Sequence, residues 1–235
     1  MKTIRILWYV IKLFTFWVIG LLYFLVAAVL RFFDLWLAQK VFWNYLRLFL
    51  KAFHLNIQYE FSKEQTQNAK NTVFVLLNQS SFLDSLLPPP VEKIRGIINI
   101  EFALYPVVGW FMGITNFVII RQIPRQAKNA INKTNNFLKT GGNIYISIEG
   151  KRSKDGALND YKKGPLVMAI NTQSDIVPII IQGSFEALPY GALYIKPSTI
   201  KMCFLDPIPT KGLTYEHRNI LREKLLTIAH NYGLQ

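Results

Sequence analysis

The chain has 235 residues, enough for one substantial hydrophobic core with an appendage and too few for two ordinary catalytic domains. Lys and Arg number 27 against 14 Asp and Glu, a formal net charge of +13 that favours anionic partners: phospholipid headgroups, phosphate-bearing substrates or nucleic acid. One cysteine, Cys203, excludes an intrachain disulfide and a cysteine-based metal site and suits a reducing, cytoplasm-facing domain; inside the apolar run Ile200 to Leu205 it reads as a small core residue.

Leu13 to Leu30 carries no charged side chain over 18 residues, near the lower limit for crossing a bilayer core of about 30 Å. Lys2 and Arg5 ahead of it resemble the start of a signal peptide, but Ala27-Ala28-Val29 is a poor cleavage site and the stretch is long. Leu35 to Leu50 reads as a second helix, with Leu35, Val41, Phe42, Tyr45, Leu48 and Phe49 on one side and Lys40, Arg47 and Lys51 available to headgroups, an interfacial helix. Basic residues flank the first helix on both sides, so a single crossing and a hairpin dipping into one leaflet both fit. Residues 1–54 are therefore expected to form a membrane anchor and residues 55–235 a globular domain.

Ser62 to Asn71 is polar and expected to be a loop. Runs at Thr72 to Leu77, Phe117 to Ile120, Asn143 to Ile148, Ile176 to Ile181 and Ile200 to Leu205 have strand length and are rich in Val and Ile, as expected of strands covered on both faces. Between them, Ala127, Ala130, Ile131, Thr134 and Leu138 make a helical stripe ended by Gly141-Gly142, and Pro165 suits the first turn of a helix running to Thr172. Leu221, Leu225, Ile228, Ala229 and Tyr232 mark a C-terminal helix. The alternation predicts an α/β fold, a layered mixed sheet flanked by helices, with an N-terminal membrane-associated helical hairpin; ligands of such folds sit beyond strand C-termini.

Two polar blocks fall at such ends: Asn78-Gln79-Ser80-Ser81-Phe82-Leu83-Asp84 and Glu149-Gly150-Lys151-Arg152-Ser153. With Glu101 to Arg121 and Ile176-Val177-Pro178-Ile179 they make four ordered segments that resemble the blocks of the lysophosphatidic acid acyltransferase family, over most of the chain from Thr72 to Pro209. The resemblance implies an enzyme, an O-acyltransferase of the 1-acylglycerol-3-phosphate type in phospholipid biosynthesis. Its donor is acyl-CoA or acyl carrier protein, its acceptor is a lysophospholipid, with lysophosphatidate giving phosphatidate as the leading case, and it has no cofactor and no metal. Such an enzyme needs a base for the acceptor hydroxyl, a partner to orient that base, donors for the oxyanion and cations for the acceptor phosphate. By resemblance Asp84 orients the base, Arg121, Arg152 and Lys151 bind phosphate, and Ser81, Glu149, Gly150 and Pro178 shape the acceptor site. The family's catalytic histidine position holds Gln79, whose amide has no titratable group near neutral pH.

Three readings of Gln79 stay open: an inactivated form of an active enzyme, a branch with altered chemistry, or a catalytically silent, membrane-bound lysolipid-binding relative. Ser147-Ile148 and Lys151 also depart from the family's pattern and bear on acceptor choice. The partners implied are the phospholipid bilayer, the lysophospholipid and the acyl donor, with no nucleic acid; the domain is expected at a membrane, facing the cytoplasm, on the inner membrane if bacterial.

Overall fold

Thr72–Leu76 (β2) is buried at every position because it is the centre of a seven-stranded sheet in this computed structural model, which describes residues 2–61, 69–87 and 89–234, the side chains of 2–5 excepted. Residues 62–68 of the expected polar loop, and the Lys2 and Arg5 side chains, lie outside the described set. The order is β1 (Leu55–Phe61), β7 (Ser198–Phe204), β6 (Asp175–Gln182), β2, β5 (Asn143–Ser147), β3 (Ile94–Asn99), β4 (Phe117–Ile119). Among the described strands β6 and β7 pair antiparallel and the other neighbours are parallel, with Leu76 opposite both Ser147 and Ile179.

Alternation along β2 divides the interior. Phe74 and Leu76 pack with Phe42, Tyr45, Leu83 and Phe111 on one face; Val73, Val75 and Leu77 pack with Leu138, Leu166, Ala169 and Leu225 on the other. The second face is covered by α5 (Pro124–Lys139), α6 (Gly164–Thr172) and α8 (Arg218–Asn231), whose buried positions Ala130, Thr134, Leu138, Leu221, Leu225 and Ala229 repeat at helical spacing. The first face is covered by α4 (Val108–Thr115) and by two long helices, α1 (Lys2–Leu30) and α2 (Leu35–Ala52). The short α3 (Ile100–Ala103) and α7 (Ser184–Ala187) lie in connections.

The α2 helix starts at Asp34, which accepts from Trp36 N at 2.6 Å as an N-cap. It turns Ala38, Phe42, Tyr45, Leu46 and Leu50 to the interior and leaves Lys40, Arg47, Leu48 and Lys51 exposed. The α1 helix is long and apolar enough over Ile6–Leu30 to cross a membrane, and most of that stretch is exposed. Its inner side is tied down at both ends. Tyr9 Oη donates to Leu193 O at 3.1 Å and accepts from Ile195 N at 2.9 Å, with its ring 4.6 Å from that of Tyr194, while Phe24 packs on Trp110 and Phe111. Between them Gly20 permits close approach, since a Cβ there would lie 2.6 Å from Val107 Cγ1 and 2.8 Å from the Tyr45 ring.

The sequence reading missed β1 and β3. β3 is broken up by Arg95 and Gly96, and both are explained by packing. The Arg95 guanidinium lies 3.7 Å from the Phe117 ring centroid and donates to Thr115 O and Asn116 O, and Gly96 N donates to Asn116 Oδ1. β1 is an edge strand with a single buried position, Leu55, and so lacks the apolar run of an interior strand.

Candidate active site

The parallel strands β2, β3, β4 and β5 end on one edge, and the segments that leave it line a cleft of about 1110 Å³. From β2 come Gln79, Asp84 and Ser85; from β4, Arg121; from β5, Glu149, Gly150, Lys151 and Arg152; and Lys162 and Lys163 precede α6. The blocks read from the sequence thus converge at the topological position where α/β sheets bind ligands.

Asp84 is fully buried in a one-turn 3-10 helix, Leu83–Ser85. Its Oδ2 accepts the Ser80 and Ser81 amides, each at 2.8 Å, while Oδ1 has no hydrogen-bond partner among the described residues. Burial pushes its pKa up to about 6, opposed by the nearby Ser184 hydroxyl, the two amides and the Arg152 charge. Ser184 Oγ is buried beside it, also without a formed hydrogen bond. Gln79 turns its side chain elsewhere: Nε2 donates to Ser85 Oγ at 3.0 Å.

Glu149, only 1% exposed, ties the two blocks together. Its Oε2 accepts from Gln79 N at 2.7 Å and its Oε1 from Asn159 N at 2.6 Å. Burial pushes its pKa up to about 7 against those amides, and the Asp84 charge adds to the rise. Gly150 takes φ +70°, and its carbonyl accepts both terminal nitrogens of Arg121 at 3.4 Å. Arg152 lies 5.7 Å from the Phe82 ring and 5.0 Å from the Tyr190 ring, and Lys154 is 5.8 Å from Tyr190. Phe82 in turn stacks on Phe102 at 5.0 Å.

Two of the residues singled out from the sequence stand outside the cleft lining. Ser81 is buried behind it, its hydroxyl donating to Leu188 O at 2.9 Å. Pro178 sits inside β6 opposite Val75, its carbonyl accepting from Leu205 N at 3.0 Å. Conversely, Ser85, Tyr190 and Ser184 were missed. Ser85 could have been suspected as a polar residue beside Asp84 in an apolar stretch, but Ser184 and Tyr190 come from the segment after β6 and carry no local signal.

The acyltransferase family's sequence profile matches residues 58–182, more than half of the chain. The chloroplastic 1-acyl-sn-glycerol-3-phosphate acyltransferase of Arabidopsis thaliana is 31% identical over 117 residues, 49% of this chain and 33% of that protein, so the match spans about a third of the relative's length. The 1-acyl-sn-glycerol-3-phosphate acyltransferase of Cocos nucifera is 31% identical over 161 residues, 66% of this chain and 52% of that one. The crystal structure of the 1-acyl-sn-glycerophosphate acyltransferase PlsC from Thermotoga maritima superposes with a TM-score of 0.63 at 22% identity, over 90% of this chain and 92% of that one, a likeness of fold. With its profile match running from β1 through both polar blocks to the end of β6, the chain belongs to the acyltransferase family.

Proposed function

We propose that this protein binds a lysophospholipid of the 1-acylglycerol-3-phosphate type in the basic cleft and is built to esterify its free hydroxyl from acyl-CoA or acyl carrier protein, with Gln79 holding that transfer far below the rate of a histidine-bearing site. The observation that carries the reading is the convergence of Gln79, Asp84, Arg121 and Arg152 on one cleft. Arg121 and Arg152, with Lys151 beside them, bind the acceptor phosphate, since a guanidinium offers paired donors to phosphate oxygens. Glu149 acts as a strap and not as a base, because backbone amides occupy both of its oxygens.

The missing element is a proton acceptor at position 79. Asp84 Oδ1, buried and unpartnered, is the acceptor that an imidazole N–H at that position would satisfy. Residues 1–54 serve as the anchor, with the exposed apolar side of α1 in the bilayer and residues 55–235 on its cytoplasmic side, on the inner membrane if bacterial. Thiol release from palmitoyl-CoA with lysophosphatidate, comparing this chain with Gln79→His, tests the reading. Activity in the histidine variant alone supports it, and equal activity in both removes Gln79 as the cause.

A second reading, a catalytically silent lysolipid-binding protein, is favoured by the settled hydrogen bond between Gln79 and Ser85, which leaves no titratable side chain at the base position. It requires lysophosphatidate binding with both chains inert.

A further inference from the structure

Asp84 is fixed at two points and open at a third. Tyr145 Oη, buried on β5, donates to the Asp84 backbone carbonyl at 2.9 Å and holds the turn. The Ser80 and Ser81 amides hold Oδ2. Oδ1 is buried with no hydrogen-bond partner among the described residues, and the same is true of Ser184 Oγ beside it.

Tethers on both sides of Ser184 carry it there. Asn78 stands in for a strand partner at the end of β6, its Oδ1 accepting from Ile181 N at 2.9 Å and its Nδ2 donating to Ile181 O at 2.6 Å. Beyond Ser184, the Ser81 hydroxyl donates to Leu188 O at 2.9 Å. Between the tethers Gly183 takes φ +84°, in a left-handed turn where a Cβ would strike the Thr199 carbonyl, so the backbone entering Ser184 has one course. The segment leading to Asp84 and the segment bearing Ser184 are thus bonded together, and a hydroxyl only 1% exposed is left against a fully buried carboxylate. A buried donor and a buried anionic acceptor satisfy each other more favourably than either is left alone.

We infer that Ser184 is a positioning residue for the base: its hydroxyl donates to the Asp84 carboxylate and keeps Oδ1 turned towards position 79. The inference rests on the proposed reading of Asp84 as the partner of a base at that position. A carboxylate oxygen has more than one lone pair, so the hydroxyl and an imidazole N–H can share it. Ser184 does not line the cleft and acts through Asp84. Donation to the charged form opposes burial, which pushes the carboxyl towards its neutral state, and the Arg152 charge acts in the same direction. Glu149 and Tyr145 also face Asp84.

Carbon NMR of the full chain in micelles, its aspartates labelled at the carboxyl and the signal assigned with Asp84→Asn, reads the contact without any turnover. Ser184→Ala should raise the Asp84 titration midpoint by about half a pH unit or more, and Ser184→Thr should keep it. In the Gln79→His background, Ser184→Ala should lower kcat for thiol release from palmitoyl-CoA about threefold to tenfold near neutral pH, with KM for lysophosphatidate unchanged. That loss should shrink as pH rises and Asp84 ionises again, and Ser184→Thr should restore kcat. Should Ser184→Ala fail to fold, Ser184→Cys, a weak donor of similar size, gives the same comparison. An unmoved midpoint, with or without a lowered melting temperature, or a kcat loss that Ser184→Thr does not restore would overturn the inference. If Gln79→His is inert with Ser184 in place, the acyltransfer reading fails, and the titration still decides whether Ser184 holds Asp84.

Discussion

Gln79 does not reach Asp84. Its amide donates to Ser85 Oγ at 3.0 Å, and Asp84 Oδ1, fully buried, is left with no hydrogen-bond partner among the described residues. A buried acceptor left empty is unfavourable by about 1–3 kcal/mol, more when charged. Gln79→His should fill it from the imidazole and raise thiol release by about 10² to 10⁴-fold, the usual contribution of a positioned base. Asp84→Asn added to Gln79→His should remove most of that gain, which a release assay on the double variant checks.

The two buried carboxyls predict how stability varies with pH. Asp84 is raised to about 6 and Glu149 to about 7 in the folded protein, each first by burial, whereas in the unfolded chain they titrate near 4. Between those limits the folded state binds more protons, so stability is greatest below about pH 4 for these groups and falls as pH rises through 6 and 7. Asp84→Asn keeps an oxygen for the Ser80 and Ser81 amides and should flatten the part of the slope between about pH 4 and 6. Melting temperature against pH for the two chains measures this directly.

Arg152 is held by aromatic faces as well as by charge. Losing the contact with Tyr190, worth about 0.5–2 kcal/mol, should weaken lysophosphatidate binding a few-fold to about thirtyfold in Tyr190→Ala, and further in Arg152→Ala. Arg152→Lys should not restore it, because an ammonium lacks the flat guanidinium that lies 5.7 Å from the Phe82 ring and 5.0 Å from the Tyr190 ring. Titration of the variants in micelles separates these outcomes.

Gly20 has no room for a side chain. Gly20→Leu would drive methyls into Val107 and the Tyr45 ring and should destabilise the packing of α1 by about 1–3 kcal/mol. A lowered melting temperature in detergent, with Gly20→Ala intermediate, is the expected result.

Strands covered on both faces were readable because a continuous Val and Ile run has few other uses; β2 and β6 are the clear cases. β3 was hidden by Arg95, an arginine that pays its way by stacking over Phe117, a contact between segments some twenty residues apart that no local pattern reveals. The apolar positions of α2 were visible, but helical spacing cannot say what covers a helix; Phe42 and Tyr45 turn inwards and Leu48 outwards. At the cleft, the residues found by resemblance to known blocks were Gln79, Asp84, Glu149, Gly150, Lys151 and the two arginines. Ser184 and Tyr190 escaped because tertiary folding alone brings the segment after β6, which carries both, against Asp84 and Arg152.

The hydrogen bonds between Tyr9 and the backbone of Leu193 and Ile195 join α1 to the loop that carries Tyr190. A fragment trimmed of its first helix for easier handling would lose that fastening and with it the wall against which Arg152 rests. Such a fragment should bind lysophosphatidate more weakly than the whole chain even in micelles, where no bilayer has to be found, so the greasy segment most tempting to delete also braces the loop that carries Tyr190 at the cleft.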